Sequence, residues 1–243
     1  MRLGLIADIH GNIEALDAVL QHLEQHAVDM ILCAGDLVAY GATPNQVIRK
    51  LKDQGIPSVA GNYDDAVAWD KAKASRKASS ARNEPLKQAA LDWTKKVIRP
   101  ANKQFLKQLP WQLSYQLDGK RLVVLHAGLD YLDEWLVPED DALLQRTATR
   151  LAADIVVLGH THRAFSQQVG DTLFINPGAV GRSLDGDPRA SCAVLDTNTL
   201  ISQHQRVSYD LAPTLNAIYK SSMPREIGVL IKHAARRIEE VHT

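Results

Sequence analysis

Five times along this chain a short run of aliphatic residues stops abruptly at residues bearing a carboxylate, a carboxamide or an imidazole. Residues 2–7 (RLGLIA) lead into Asp8 and His10, and residues 30–34 (MILCA) into Gly35-Asp36. Residues 56–60 (IPSVA) lead into Gly61-Asn62-Tyr63-Asp64, residues 122–125 (LVVL) into His126, and residues 155–158 (IVVL) into Gly159-His160-Thr161-His162. Short continuous apolar runs suit strands covered on both faces. Side chains just past the carboxyl ends of neighbouring strands converge in space even when they are far apart in sequence.

Helices are expected between the early strands. Ile13, Leu16, Val19, Leu20 and Leu23 recur at helical spacing within residues 12–25, and Val47, Ile48 and Leu51 within residues 45–54, which end at Gly55-Ile56-Pro57. Strand alternating with helix predicts βαβ units and a substantially parallel sheet. Later strands, at 172–175, 192–195 and 201–207, come with few helices between them and predict a second, more mixed sheet. Residues 210–219 and 226–241 read as helices, giving a helical tail over about 210–242.

The chain has 243 residues with 28 basic and 28 acidic side chains, long enough to bury a core without disulfides or metal staples. Ordinary hydrophobic (45%) and charged (23%) fractions exclude a mainly disordered or fibrous chain. No apolar run is long enough to span a membrane, and the N-terminus has no signal-peptide pattern. Zero net charge argues against bulk electrostatic binding to nucleic acid or membrane, and no sequence-specific nucleic-acid partner is expected. Cys33 and Cys192 lie in apolar runs and read as reduced thiols of a cytoplasmic protein.

Residues 64–110 contain no strand pattern. Between positions 71 and 107, eleven basic residues face only Glu84 and Asp92, an excess of nine positive charges in a neutral chain. Leu86, Ala90, Trp93 and Val97 outline one amphipathic helix. The stretch, about 65–110, is either a solvated helical face or a basic cap over an anionic substrate. On the second reading, part of it within residues 76–96 covers the site and draws in polyanions. The run AKASRKASS, residues 72–80, is expected to be mobile.

Each strand-end motif has a bland reading by itself: a turn, a cap, or an interior histidine. Together they offer two Asp, one Asn and four His. A mixture of oxygen and nitrogen donors without thiolate suits Mn, Fe, Zn, Ni or Co. Seven donors are too many for one catalytic ion that must keep a position open, and suit two ions with one carboxylate between them. The remaining five histidines lack such context and read as surface or packing residues.

The order D-x-H, G-D, G-N-x-D, H, G-H-x-H resembles the calcineurin-like metallophosphoesterases, over residue 2 to about 196. DIHGN and the run NPGAVGRSLDGDPRASCAVLD look like the compact bacterial branch, with phosphodiesterase-like or diadenosine-tetraphosphatase-like members. The resemblance implies a single domain over 1–243 with an α/β fold: a four-layer α/β/β/α sandwich of two mixed sheets, with a helical insertion after the third motif. It implies two divalent metal ions, with Mn preferred and Fe, Ni, Zn, Co or Mg as alternatives. Asp8, His10 and His162 would bind the first, Asp36 would bridge, and Asn62, His126 and His160 would bind the second. A hydroxide between the ions would attack phosphorus in line. Asp36, Asn62 and Tyr63 are the implied catalytic positions. The implied partner is a small phosphorylated substrate, and a homo-oligomer is left open.

The chain departs from the family at Tyr63, where a His usually protonates the leaving group. A phenol with a reference pKa of about 10 donates a hydrogen bond but is a weak acid at neutral pH. That favours phosphodiesters and nucleotide-type anhydrides over monoesters. A phosphomonoesterase or protein Ser/Thr phosphatase is the alternative, and a non-catalytic scaffold of the same fold a distant one. Asn12, Arg182 and Arg189 are further candidates for substrate contacts, since helix N-termini and Arg forks both suit phosphate. Their bland readings are an N-cap for Asn12 and surface salt bridges for the arginines. Tyr131 and Trp135 either stack on a base or pack against the cap.

Overall fold

A computed structural model of the chain describes residues 1–76 and 83–242. The elements are β1 (Arg2–Ile6), α1 (Ile13–Gln25), β2 (Met30–Cys33), α2 (Pro44–Asp53), α3 (Asn62–Ala68), α4 (Asn83–Val97), α5 (Pro100–Gln108), β3 (Gln112–Leu117) and β4 (Lys120–Leu125). Then come α6 (Asp141–Leu151), β5 (Ile155–Val157), β6 (Phe165–Val169), β7 (Thr172–Asn176), β8 (Ala190–Asp196), β9 (Ile201–Val207), α7 (Leu211–Lys220), α8 (Arg225–Lys232) and a 3-10 turn (Ile238–His242).

One sheet has the order β2-β1-β8-β9 and the other β3-β4-β5-β7-β6. Both are mixed. β1 pairs in parallel with β2 but antiparallel with β8, and β5 lies parallel between β4 and β7. Strand alternation places Leu3, Leu5, Leu122, Val124, Ile155, Val157 and their neighbours in one apolar layer between the sheets. The outer face of the first sheet, with Ile6, Cys33 and Val194, packs on α1, α2, α7 and α8. The outer face of the second, with Val123, Val156 and Phe174, packs on Leu144 and Leu151 of α6. The result is four layers, α/β/β/α. The thiols of Cys33 and Cys192 are free and buried, and burial pushes both up to about 12. Among the described residues no helix is long and apolar enough to cross a membrane.

The structure corrects the expected elements in several places. Residues 56–60 form no strand, only an isolated bridge between Cys33 and Ser58. Cys33 N–H donates to Pro57 O and Val59 N–H to Cys33 O, and Pro57, lacking an N–H, cannot extend the ladder. The helix expected over 226–241 stops at Lys232. Ala234 takes a left-handed φ of 48° and is buried with Ala235, so the chain turns back on the core. Among the described residues, 62–110 hold three helices, α3, α4 and α5, where one was expected.

Two strands and one helix lie outside the apolar runs. β3 meets β4 through Asp118-Gly119, both at positive φ, the Asp-Gly signal of a two-residue hairpin. β6 meets β7 through Gly170-Asp171. α6 opens on Asp140, whose side chain accepts from Leu143 N–H. Leu5, fully buried between the sheets, tests the packing. Leu5→Ala should lose about 2–5 kcal/mol of unfolding free energy, read as a lower urea midpoint at unchanged slope.

Candidate active site

The motif residues sit where the strands end and the backbone bends back. Asp8, His10, Asp36, His160 and His162 all take left-handed φ, between 48° and 66°. That conformation costs a non-glycine residue about 1–2 kcal/mol and persists only where the surroundings over-determine it. Here the loops after β1 and β2 are laced together: Asp8 N–H donates to Gly35 O, His10 N–H to Asp36 O and Gly11 N–H to Leu37 O, each at 2.9 Å. The second sheet joins through His126 Nδ1, 2.7 Å from Ala34 O, and through His160 N–H, which donates to Asp8 Oδ1 at 3.2 Å.

The third motif is not a loop but the first turn of α3. Gly61 is its N-cap, and a Cβ there would lie 2.1 Å from Asp36 Oδ1. Only glycine permits that approach, which lets Tyr63 N–H donate to Asp36 Oδ1 at 2.8 Å. Asp64, fully buried, accepts from Gly61 N–H at 3.0 Å, Leu37 N–H at 2.9 Å and Val38 N–H at 3.2 Å. One carboxylate therefore ties the second motif to the third. A residue with no clear role in the sequence is the strut between two ligand loops. Its signal was the position, three residues after a helix cap, where an acidic side chain bonds back to the backbone.

Asp36 lies between two groups of donors. Its Oδ2 is 3.7 Å from His10 Nε2 and 3.6 Å from His126 Nε2. On one side are His10, His162 and Asp8, with His162 Nε2 3.4 Å from Asp8 Oδ1. On the other, Asn62 Oδ1 is 3.0 Å from both His126 Nε2 and His160 Nδ1. Asn62 Nδ2 donates to Ala74 O at 3.1 Å, which turns its Oδ1 toward the imidazoles. The clusters Asp8/His10/His162 and Asp8/Asp36/His126 each gather ligand atoms within 4.8 Å of one another.

The tautomers suit a cation. Nδ1 of His10 faces Val38 O at 3.1 Å, and Nδ1 of His162 faces Arg182 O at 2.6 Å. Each Nδ1 therefore carries the proton and each Nε2 a lone pair. Yet the two Nε2 atoms face each other at 3.1 Å, an acceptor against an acceptor. Protonation does not relieve the clash, because burial holds both imidazoles well below their usual range. Burial likewise lowers His126 to about 4 and His160 to about 3. It pushes Asp36 up to about 7, and Asp8, with the Asp36 charge adding, well above the carboxylate range. Asp8 Oδ2 is buried with no hydrogen-bond partner. Buried lone pairs converging without donors are what a divalent cation satisfies.

The donors open onto a cleft of about 530 Å³. Tyr63 lines it, its hydroxyl 2.6 Å from that of Tyr40, and burial raises its phenol well above the ordinary value. Arg182 lines it too, only 7% exposed, its guanidinium 4.2 Å from the Tyr40 ring and its Nε without a partner. Trp135 stands edge-on to His160 at 6.0 Å. Two expected substrate contacts are elsewhere. Asn12 is fully buried as the N-cap of α1, with Oδ1 accepting from Ala15 N–H and Thr214 Oγ1 and Nδ2 donating to Gly181 O and Tyr209. No group is left for a ligand. Arg189 is an exposed arginine paired with Asp187 at 2.6 Å, the bland reading.

The basic stretch contributes little to the cleft among the described residues: Ser75 and the half-buried Lys87. Three of its cations are answered in space by acids outside the counted segment. Lys71 pairs with Asp65, Lys103 with Asp70, and Arg76 with Asp133 at 2.8 Å. Arg76 also covers the Tyr131 ring at 3.2 Å. Lys77, Arg82 and residues 77–80 of the stretch expected to be mobile lie outside the described residues.

The profile described as "Calcineurin-like phosphoesterase superfamily domain" matches residues 1–200. Protein MJ0912 of Methanocaldococcus jannaschii is 31% identical, over 93% of this chain and 95% of its own. Phosphodiesterase YfcE of Escherichia coli K12 is 26% identical, over 82% of this chain and 90% of its own. A crystal structure of a metallophosphoesterase from Sphaerobacter thermophilus superposes with a TM-score of 0.76 at 26% identity, covering 97% of this chain and 99% of that one.

The strut is testable apart from any catalysis. Asp64→Ala strands three buried N–H groups, each worth about 1–3 kcal/mol. Urea unfolding of metal-stripped protein should show a loss of about 3 kcal/mol or more, and Asp64→Asn, which keeps an acceptor oxygen, should lose less. An alanine variant as stable as the parent would remove Asp64 from this role.

Proposed function

The chain belongs to the calcineurin-like phosphoesterase superfamily of metal-dependent hydrolases. On that footing we propose that it is a dinuclear-metal phosphoesterase acting on small phosphodiesters or nucleotide-type phosphoanhydrides. The observation that carries the reading is Asp36 Oδ2 standing 3.7 Å from the His10 imidazole and 3.6 Å from that of His126. Asp8, His10 and His162 would hold one ion with Asp36, and Asn62, His126 and His160 the other. Two divalent cations, when bound, acidify water for attack on phosphorus and neutralise charge developing on the phosphoryl oxygens. Mn is our first choice among ions suited to these donors.

The protein's own groups do the rest. Carbonyls of Val38, Ala34 and Arg182 take the Nδ1 protons of His10, His126 and His162, holding each Nε2 as a neutral donor. Arg182, buried and without a carboxylate partner, would grip a phosphoryl oxygen as its fork allows. Tyr63 would donate a hydrogen bond to the phosphate rather than a proton to the leaving group, because burial makes its phenol a still weaker acid. Substrates whose leaving groups depart without protonation, aryl esters and phosphoanhydrides, fit that site best. Two buried free thiols support a cytoplasmic setting.

Two outcomes test this reading. Elemental analysis of the protein loaded with Mn should find two ions per chain, and Asp36→Asn should lower both the metal content and the turnover of an aryl diester, the latter by several orders of magnitude. Near-parental activity of that variant would refute a shared ligand. Tyr63→His should raise the ratio of aryl monoester to aryl diester hydrolysis by supplying a stronger acid than a phenol. An unchanged ratio with metals bound would refute the assignment of Tyr63.

A further inference from the structure

The cleft is also lined by Arg236 and Arg237, from a segment beyond the residues that the family profile matches. This segment is held against three walls of the site. Gly186 N–H, in the same loop as Arg182, donates to Ala234 O at 3.1 Å, and Ile238 N–H donates to Asn83 Oδ1, at the start of α4, at 3.4 Å. The Arg236 guanidinium lies 5.2 Å from the Trp135 ring, within cation–π range. Glu240 Oε2 accepts from the backbone N–H of Arg236 at 2.8 Å and of Arg237 at 3.1 Å, which fixes the turn that presents both side chains.

Four cations thus line the cleft: Lys87, Arg182, Arg236 and Arg237. Among the described residues none has a carboxylate within ion-pairing distance, whereas Arg76, Arg150, Arg163 and Arg206 each hold one. The one carboxylate in the cleft wall is Asp36, which belongs to the donor cluster. A single phosphodiester carries one negative charge, which Arg182 and a cation pair already match. Three further unpaired cations around the same space call for more negative charge on the ligand.

We propose that Arg236 and Arg237, with Lys87, form a second anion subsite that takes the additional phosphates of a polyphosphate-bearing substrate while Arg182 and the donor cluster hold the reacting phosphorus. The subsite rests on the function proposed above. It makes the segment after α8 the specificity element of the enzyme, favouring a nucleoside polyphosphate ester over a simple diester. In the hydrolysis water adds its oxygen to the reacting phosphorus, the bond from that phosphorus to the leaving oxygen breaks, and the water protons end on the product phosphate and the leaving group.

The test uses two substrates with one leaving group: bis(p-nitrophenyl) phosphate, singly charged, and the γ-p-nitrophenyl ester of a nucleoside triphosphate. Arg236→Ala/Arg237→Ala should lower the ratio of kcat/KM for the triphosphate ester over the diester at least tenfold, through KM. Lys232→Ala, the loss of one positive charge on an exposed residue at the end of α8, should leave that ratio within twofold. Independently, inorganic triphosphate should change Trp135 fluorescence in the parent, identified by its loss in Trp135→Phe, and bind at least tenfold more weakly to the double variant. An unchanged ratio, or unchanged triphosphate affinity, overturns the subsite. If the parent hydrolyses neither ester with added Mn, the proposed function itself fails, and the triphosphate titration still decides whether the arginines bind anions.

Discussion

Three carboxyl groups, Asp8, Asp36 and Asp64, are buried together at the seam between two sheets, and the rest of the site depends on that arrangement. Removing carboxylates from water is costly, and crowding them raises the cost. Burial pushes Asp36 and Asp64 each up to about 7. Each group answers the cost differently. Asp64 spends its oxygens on three backbone N–H groups. Asp36 takes one backbone donor and leaves its other oxygen between two imidazoles. Asp8 keeps a buried oxygen with no partner at all. The same kind of side chain is a strut in one place and a ligand in another, and the difference lies in how many N–H groups reach it.

The two sheets make that seam possible. Parallel strands in both end on the same side, so the loops after β1 and β2 meet those after β4 and β5 edge to edge. The left-handed residues at these ends reverse the chain within one or two positions and aim short side chains back into the seam. The strain is carried by the apolar layer between the sheets, which leaves the strand ends no freedom to relax. Stability and chemistry are coupled here through backbone geometry rather than through any one contact.

The cleft outside the donor cluster has a different logic. Its cations come from α4, from the loop before β8 and from the turn after α8, and they face a space with tyrosines on one wall and a tryptophan on another. An excess of positive charge in one stretch of sequence proved a poor guide to this. Lys71, Arg76 and Lys103 found acids from neighbouring segments, while the cations left unpaired at the cleft come mostly from regions whose local charge is unremarkable.

Much of the candidate site was legible in the sequence because each of its donor side chains follows an apolar run by a short interval. Asp8, His10, Asp36, Asn62, His126, His160 and His162 could be picked out from the apolar runs before them, and the two-sheet fold followed from a family resemblance those motifs carry. Strands such as β3 and β6, half-exposed and paired through two-residue turns, escaped a reading based on continuous apolar runs, because Gln and Ser on their alternate positions break any such run. Asn12 could not be told from a phosphate ligand by its position. Only packing against Thr214 and Tyr209, about 200 residues away in the chain, shows its amide to be saturated. Arg182 and Arg189 look alike in sequence, seven residues apart in one loop, and tertiary structure separates them: Arg189 has Asp187 beside it, while Arg182 is buried over Tyr40 with no carboxylate of the described residues within ion-pairing distance. By itself the sequence determined which side chains are of metal-ligating type and that they follow apolar runs, since both are local properties of residue type and spacing. Which cations remain free to meet a substrate was decided only by the tertiary structure, because a charge is neutralised by its neighbours in space and not by its neighbours along the chain.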